Sequence, residues 1–126
     1  MMNYLRLLYA NLVLLLLAVP AYGNFSQQLN LEFNTLTNRD GLSNGQVNCI
    51  LQDKRGYMWF ATQSGLNRFD GFRFRNFFNK NLDEKTIPNN SVDDIQQDWK
   101  GNLWIHTGVG YCIYQYDKET FDRHPE

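Results

Sequence analysis

Gln52-Asp53-Lys54-Arg55-Gly56-Tyr57-Met58-Trp59-Phe60-Ala61-Thr62-Gln63-Ser64-Gly65 decides the fold. Most of its pattern returns 45 positions later as Gln97-Asp98-Trp99-Lys100-Gly101-Asn102-Leu103-Trp104-Ile105-His106-Thr107-Gly108-Val109-Gly110. Such self-similarity at a fixed period marks a repeat architecture. The same offset sets Phe33 over Phe78, Leu42 over Ile87, Asn44 over Asn89, Val47 over Val92 and Ile50 over Ile95. Beyond Gly65 and Gly110 the register slips by two, matching Phe69-Asp70 with Tyr116-Asp117. The slip predicts a longer hairpin in the second copy, since insertions settle in loops.

Each unit reads as four short antiparallel strands. Val47–Gln52 and Val92–Gln97 are first strands. Asp53 and Asp98 then open identical tight turns, where the carboxylate accepts from the turn's own backbone and Gly56 or Gly101 takes positive φ cheaply. Two carboxylates recurring at one repeat position are turn devices rather than an acid/base couple. In the second strands, Trp59 and Ala61 share one face and Phe60 and Thr62 the other. Apolar residues on both faces require cover on both sides. Gly65–Phe69 is a third strand, Asp70-Gly71 is predicted to be a hairpin turn with both central residues at φ > 0, and Phe72–Phe77 alternates as a fourth. Tyr111–Tyr116 and Thr120–Arg123 repeat these elements. Thr37–Gly45 and Asp83–Asn90 are dense in turn formers and read as connectors.

The predicted fold is therefore all-β: about two four-stranded antiparallel β-propeller blades of an incomplete ring, following an N-terminal signal helix. The alternative is a sandwich or small barrel in which the two units face one another. The expected division is a signal peptide over 1–23, an N-terminal closing strand over 24–36, a first blade over 37–79, and a second over 80–126 that stops before a third. Leu29–Asn34 alternates like a half-buried strand and, by offset, corresponds to the last strand of a blade. Two blades cannot close a ring, and both sides of the pair are left open, so the chain alone is expected to be marginal or to aggregate.

Leu7–Val19 is an apolar run behind Arg6, and Ala21-Tyr22-Gly23 supplies small residues for cleavage after Gly23. The run is shorter than the roughly 20 residues a spanning helix needs. Export to the periplasm is the expectation. Cys49 and Cys112 both lie in apolar strand contexts and are read as buried free thiols. His106 and His124 stand alone, so no metal or cofactor site is expected. The net charge of −1, with no basic stripe, argues against nucleic acid as a partner.

Asp40-Gly41-Leu42-Ser43-Asn44, Gln52-Asp53, Gly56-Tyr57-Met58-Trp59-Phe60-Ala61-Thr62 and Gly65-Leu66-Asn67-Arg68-Phe69-Asp70-Gly71 resemble the two-component regulator propeller repeat. The similarity extends over about Leu31 to Glu126. It implies the N-terminal part of a periplasmic sensor in a hybrid two-component system that senses oligosaccharides. Such sensors carry two seven-bladed propellers, an immunoglobulin-like domain, a membrane helix, a histidine kinase and a response-regulator portion. None of those later parts is in this sequence, so the chain itself is not expected to be an enzyme.

Trp59 and Trp104 hold one repeat position and are read as core, with Asp53, Gly56, Thr62, Gly65, Asp98, Gly101, Thr107 and Gly110 as structural repeat residues. Ligand contacts are better sought where the copies differ. Tyr57, Arg68, Trp99, His106 and Tyr111 lead, with Gln63, Ser64, Asn67 and Gly108 behind them. Ser64 lacks a nucleophile elbow and neither histidine has an acid near it in sequence, so no catalytic residue is named. The expected partners are an oligosaccharide and either the remaining blades or other copies of the chain. A propeller-type polysaccharide enzyme fragment and a small secreted self-assembling adhesion or scaffold protein are the competing functions.

Overall fold

The computed structural model describes residues 31–125. The signal peptide and the first part of the closing strand lie outside them. Residues 31–36 form no strand. An outermost strand exists only while a neighbour satisfies its ladder, and no described strand pairs with this stretch.

Asn34–Glu126 is one unit and holds two sheets. The first comprises β1 (Val47–Gln52), β2 (Met58–Thr62), β3 (Gly65–Phe69) and β4 (Phe74–Phe77); the second comprises β5 (Val92–Gln97), β6 (Leu103–Thr107), β7 (Gly110–Gln115) and β8 (Thr120–Asp122). Each is an antiparallel meander in sequence order. Helix among the described residues is limited to one 3-10 turn, Asn38–Asp40, capped by Thr37.

The copies match in detail. A bulge follows Val47 in β1 and Val92 in β5. The Thr62 hydroxyl donates to the Gly65 carbonyl at 2.8 Å, as Thr107 does to Gly110. Gly65 sits at φ +111°, and a Cβ there would lie 2.8 Å from the Phe78 ring. Its N–H donates to the Asn90 carbonyl at 2.6 Å, holding the connector down.

Two expectations about the hairpins are corrected. Met58 pairs with Phe69 and Leu103 with Tyr114, so the original offset runs through β3 and β7, and the counterpart of Phe69 is Tyr114, not Tyr116. The two-residue slip arises after β7, where the extra pair Gln115 and Thr120 lengthens the second hairpin. Asp70-Gly71 is not a two-residue turn. Phe69 pairs with Phe74, only Gly71 has positive φ, and Asp70 Oδ1 accepts from the N–H groups of Phe72 (2.8 Å) and Arg73 (2.7 Å). The carboxylate organises a four-residue loop that an Asp-Gly pair alone would have left tighter.

The sheets pack face to face, with β1 and β2 against β5. Trp59, Ala61, Leu66 and Phe77 of the first form one buried cluster with Ile87, Val92, Ile95, Leu103, Ile105, Cys112, Tyr114 and Phe121 around the second. Aromatic edges lock the centre: Trp59 meets Tyr114 with centroids 4.9 Å apart, and Phe77 meets Phe121 at 5.4 Å. Such pairs add about 0.5–1.5 kcal/mol beyond the area they bury. Cys112 is fully buried, which pushes its thiol up to about 12. Cys49 departs from the expected burial: it is only half-buried, at the free edge of β1, its Sγ 3.8 Å from the Ile95 carbonyl. Both thiols are free.

Candidate functional site

The repeated turns bring most of the distinctive chemistry to one rim of the blade pair. In the first, Asp53 Oδ1 accepts from the N–H groups of Arg55 (2.9 Å) and Tyr57 (3.0 Å). Asp53 Oδ2 accepts from the Trp59 indole (2.7 Å) and from the Tyr116 hydroxyl of the other sheet (2.8 Å). Four donors on a carboxylate that is only 4% exposed satisfy it completely. In the second, Asp98 accepts from Asn102 N–H (2.8 Å), Asn102 Nδ2 (2.8 Å) and the Trp104 indole (3.2 Å), with no donor from a further sheet. Burial pushes its carboxyl up, but the bonds from Asn102, Trp104 and the Lys100 backbone outweigh this and hold it at about 2.

Lys54 ties the turns together. Its backbone N–H donates to Gln97 Oε1 at 2.9 Å, and its Nζ donates to the carbonyls of Asp98 (3.2 Å) and Trp99 (3.0 Å). Trp99 occupies the Lys54 position in the second turn and stands 83% exposed, with Lys100 Nζ 5.2 Å from its ring centroid. Arg55 lies over Tyr116 at 4.0 Å. The rim thus offers an open indole face flanked by ammonium groups.

The other sequence candidates separate from it. Arg68 lies between the sheets: Nη1 donates to the Tyr114 hydroxyl at 3.0 Å, Nη2 pairs with Glu119 at 3.0 Å, and its guanidinium sits 4.5 Å over the Tyr57 ring. Arg75 also pairs with Glu119. Burial pushes the Tyr114 phenol up to about 12. Tyr57 and Arg68 therefore join blades. His106 and Tyr111 form a cross-strand pair on the face of the second sheet that points away from the first. With Asp94, Gln96 and Trp104 they line a concavity of about 420 Å³. Trp104, expected to be core, is only half-buried there because no sheet covers it. Asn67 is buried, its side-chain amide donating to the Phe60 and Gly65 carbonyls. Gln63 and Ser64 belong to the β2–β3 connection, where Gln63 meets Ser91 at 3.3 Å, and Gly108 lies in the β6–β7 connection.

Lys54, Tyr116 and Glu119 were missed from sequence. Lys54 differs from its counterpart Trp99, so the criterion that selected Trp99 would also have found it. Tyr116 and Glu119 lie on the loop of the lengthened hairpin and have no counterparts. Among the described residues, no group of three or more His, Cys, Asp or Glu side chains is placed to hold a metal ion.

Residues 41–64 match the two-component regulator propeller family. The histidine kinase P4 of Formosa agariphila is 42% identical over 62 residues, which make up 49% of this chain and 4% of that protein. Among solved structures, the extracellular domain of a hybrid two-component system from B. thetaiotaomicron superposes with a TM-score of 0.65 at 35% identity, over 72% of this chain and 13% of that one. The chain spans a small part of the length of both. With the repeated turn, the blade-on-blade packing and these likenesses together, the chain is identified as a two-component regulator propeller, its two sheets being blades of the sensor part of a hybrid two-component system.

Proposed function

We propose that this chain supplies the first two blades of a periplasmic propeller that senses an oligosaccharide and passes the event to a histidine kinase outside it. Similarity to an extracellular sensor domain and to a histidine kinase supports the setting. Trp99 is the observation that carries a sugar-contacting role for this segment. It is the most exposed of the three tryptophans, presents its indole on a turn fixed by Asp98, and is flanked by Lys54 and Lys100. An aromatic face beside hydrogen-bond donors suits a pyranose ring, whose C–H face stacks while its hydroxyls find polar partners. Binding then biases a two-state assembly, and the blades do no chemistry.

Titration of a panel of oligosaccharides into a sensor that contains these blades tests the proposal. Trp99→Ala is expected to weaken binding of the recognised sugar about tenfold with an unchanged melting temperature. Unchanged affinity removes Trp99 from the site, and failure of every sugar to bind removes the ligand class.

A further inference from the structure

The second sheet leaves its Trp104 face open, and the covered interface says what a neighbour there would meet. On the first sheet the equivalent face is closed by β5. Ala61 and Leu66 are fully buried against Ile87, Val92 and Ile95. Asn48 Nδ2 donates to the Val92 carbonyl at 2.7 Å, and Cys49 Sγ approaches the Ile95 carbonyl. The reverse face of the first sheet, carrying Ile50 at 55% exposure, is the counterpart of the β5 face where Ile95 is 3% exposed. A second copy could therefore dock its first blade on Trp104 with the same geometry, and a heterologous contact of that kind builds rings or fibres.

Four residues oppose that. Ala61 is replaced by His106 and Leu66 by Tyr111, so two larger polar rings would enter a space already filled by Ala and Leu. Asn48 and Cys49 are replaced by Asp93 and Asp94, so two acceptor-only carboxylates would face the backbone carbonyls of Val47 and Ile50 of the incoming copy. Asp94 bonds within its own sheet, to Ile95 N–H (2.9 Å) and Gln96 Nε2 (2.8 Å), and gains no donor from such a neighbour.

We propose that the Trp104 face docks a further sheet of different chemistry and rejects a second copy of this chain's first blade. The fitting sheet has small side chains opposite His106 and Tyr111 and a cationic donor opposite Asp93 and Asp94. It meets Trp104 as β5 to β8 meet Trp59.

Sedimentation of the full chain over a concentration series tests this. The quadruple change Asp93→Asn, Asp94→Cys, His106→Ala, Tyr111→Leu rebuilds the first blade's face. It is expected to tighten self-association at least about tenfold, and adding Ile50→Glu is expected to abolish the gain. In a second arm, His106→Ala/Tyr111→Leu with Ile50→Lys keeps both aspartates and places an ammonium on the docking strand. Association that weakens with added salt is expected. Wild-type association that Ile50→Glu removes overturns the exclusion, as does a quadruple variant that behaves like wild type. A salt-insensitive or absent response in the second arm overturns the donor requirement.

Discussion

Trp59 and Trp104 hold one position in two copies of the same strand, and each donates its indole N–H to the aspartate of the preceding turn. One is fully buried and the other lines an open concavity. The reverse faces show the opposite: Ile95 is buried where Ile50 is exposed. The repeat thus dictates the blade, while burial of a given residue is set by which neighbour is present. Stability in such a stack is a sum of unit and interface terms. Equivalent substitutions should therefore have unequal costs, decided by the interface.

The largest contrast is expected at the tryptophans. Trp59→Ala should cost ~3–5 kcal/mol, because the cavity lies in the buried cluster, and Trp104→Ala ~1 kcal/mol, since water already reaches that face. Urea unfolding of both variants measures the difference, and equal costs would break the equivalence of covered and open faces. Next are the turn aspartates. Asp53→Ala strands the Trp59 indole and the Tyr116 hydroxyl between sheets at ~2–3 kcal/mol, whereas the donors freed by Asp98→Ala are open to water and should cost ~1 kcal/mol.

Arg68→Ala should follow at ~1–2 kcal/mol. Its guanidinium is nearly buried against Tyr114 and Glu119, while its counterpart Ile113 makes no such bridge. A smaller effect is expected at alkaline pH. Burial raises the Tyr114 phenol to about 12, and burial and the bond to Asp53 raise Tyr116 further. A raised folded-state value stabilises the fold fully below the unfolded value of about 10, and that part is lost as pH climbs toward about 12. Melting temperatures should fall over that window, and Tyr116→Phe should flatten the fall.

Much of the blade was legible because the repeat states it twice. The Asp turn, the Trp face and the four-strand order follow from one motif aligned on itself. What joins the blades was less legible. Tyr116 and Glu119 belong to the longer second hairpin, so no internal counterpart exists to interpret them, yet they reach Asp53 and Arg68 of the other sheet. The sequence registered only a slip of two, and the extra strand pair behind that slip carries the loop across. Burial of Trp104 was misjudged for a related reason. Period and face predict which side a residue occupies, but cover depends on a sheet that the two repeats do not themselves provide. Among the five candidate contacts, difference between copies selected Arg68 and Trp99 alike, although one bridges sheets and the other faces solvent, because both roles depart from the repeat for different physical reasons.

Acrylamide quenching of single-tryptophan chains tests the face-to-face packing most directly. Trp59 is retained in a Trp99→Phe/Trp104→Phe chain, and Trp104 in a Trp59→Phe/Trp99→Phe chain. Trp59 emission is expected to be blue-shifted and nearly unquenched, and Trp104 emission red-shifted and readily quenched. Equal accessibility of the two would contradict the packing of one sheet on the other.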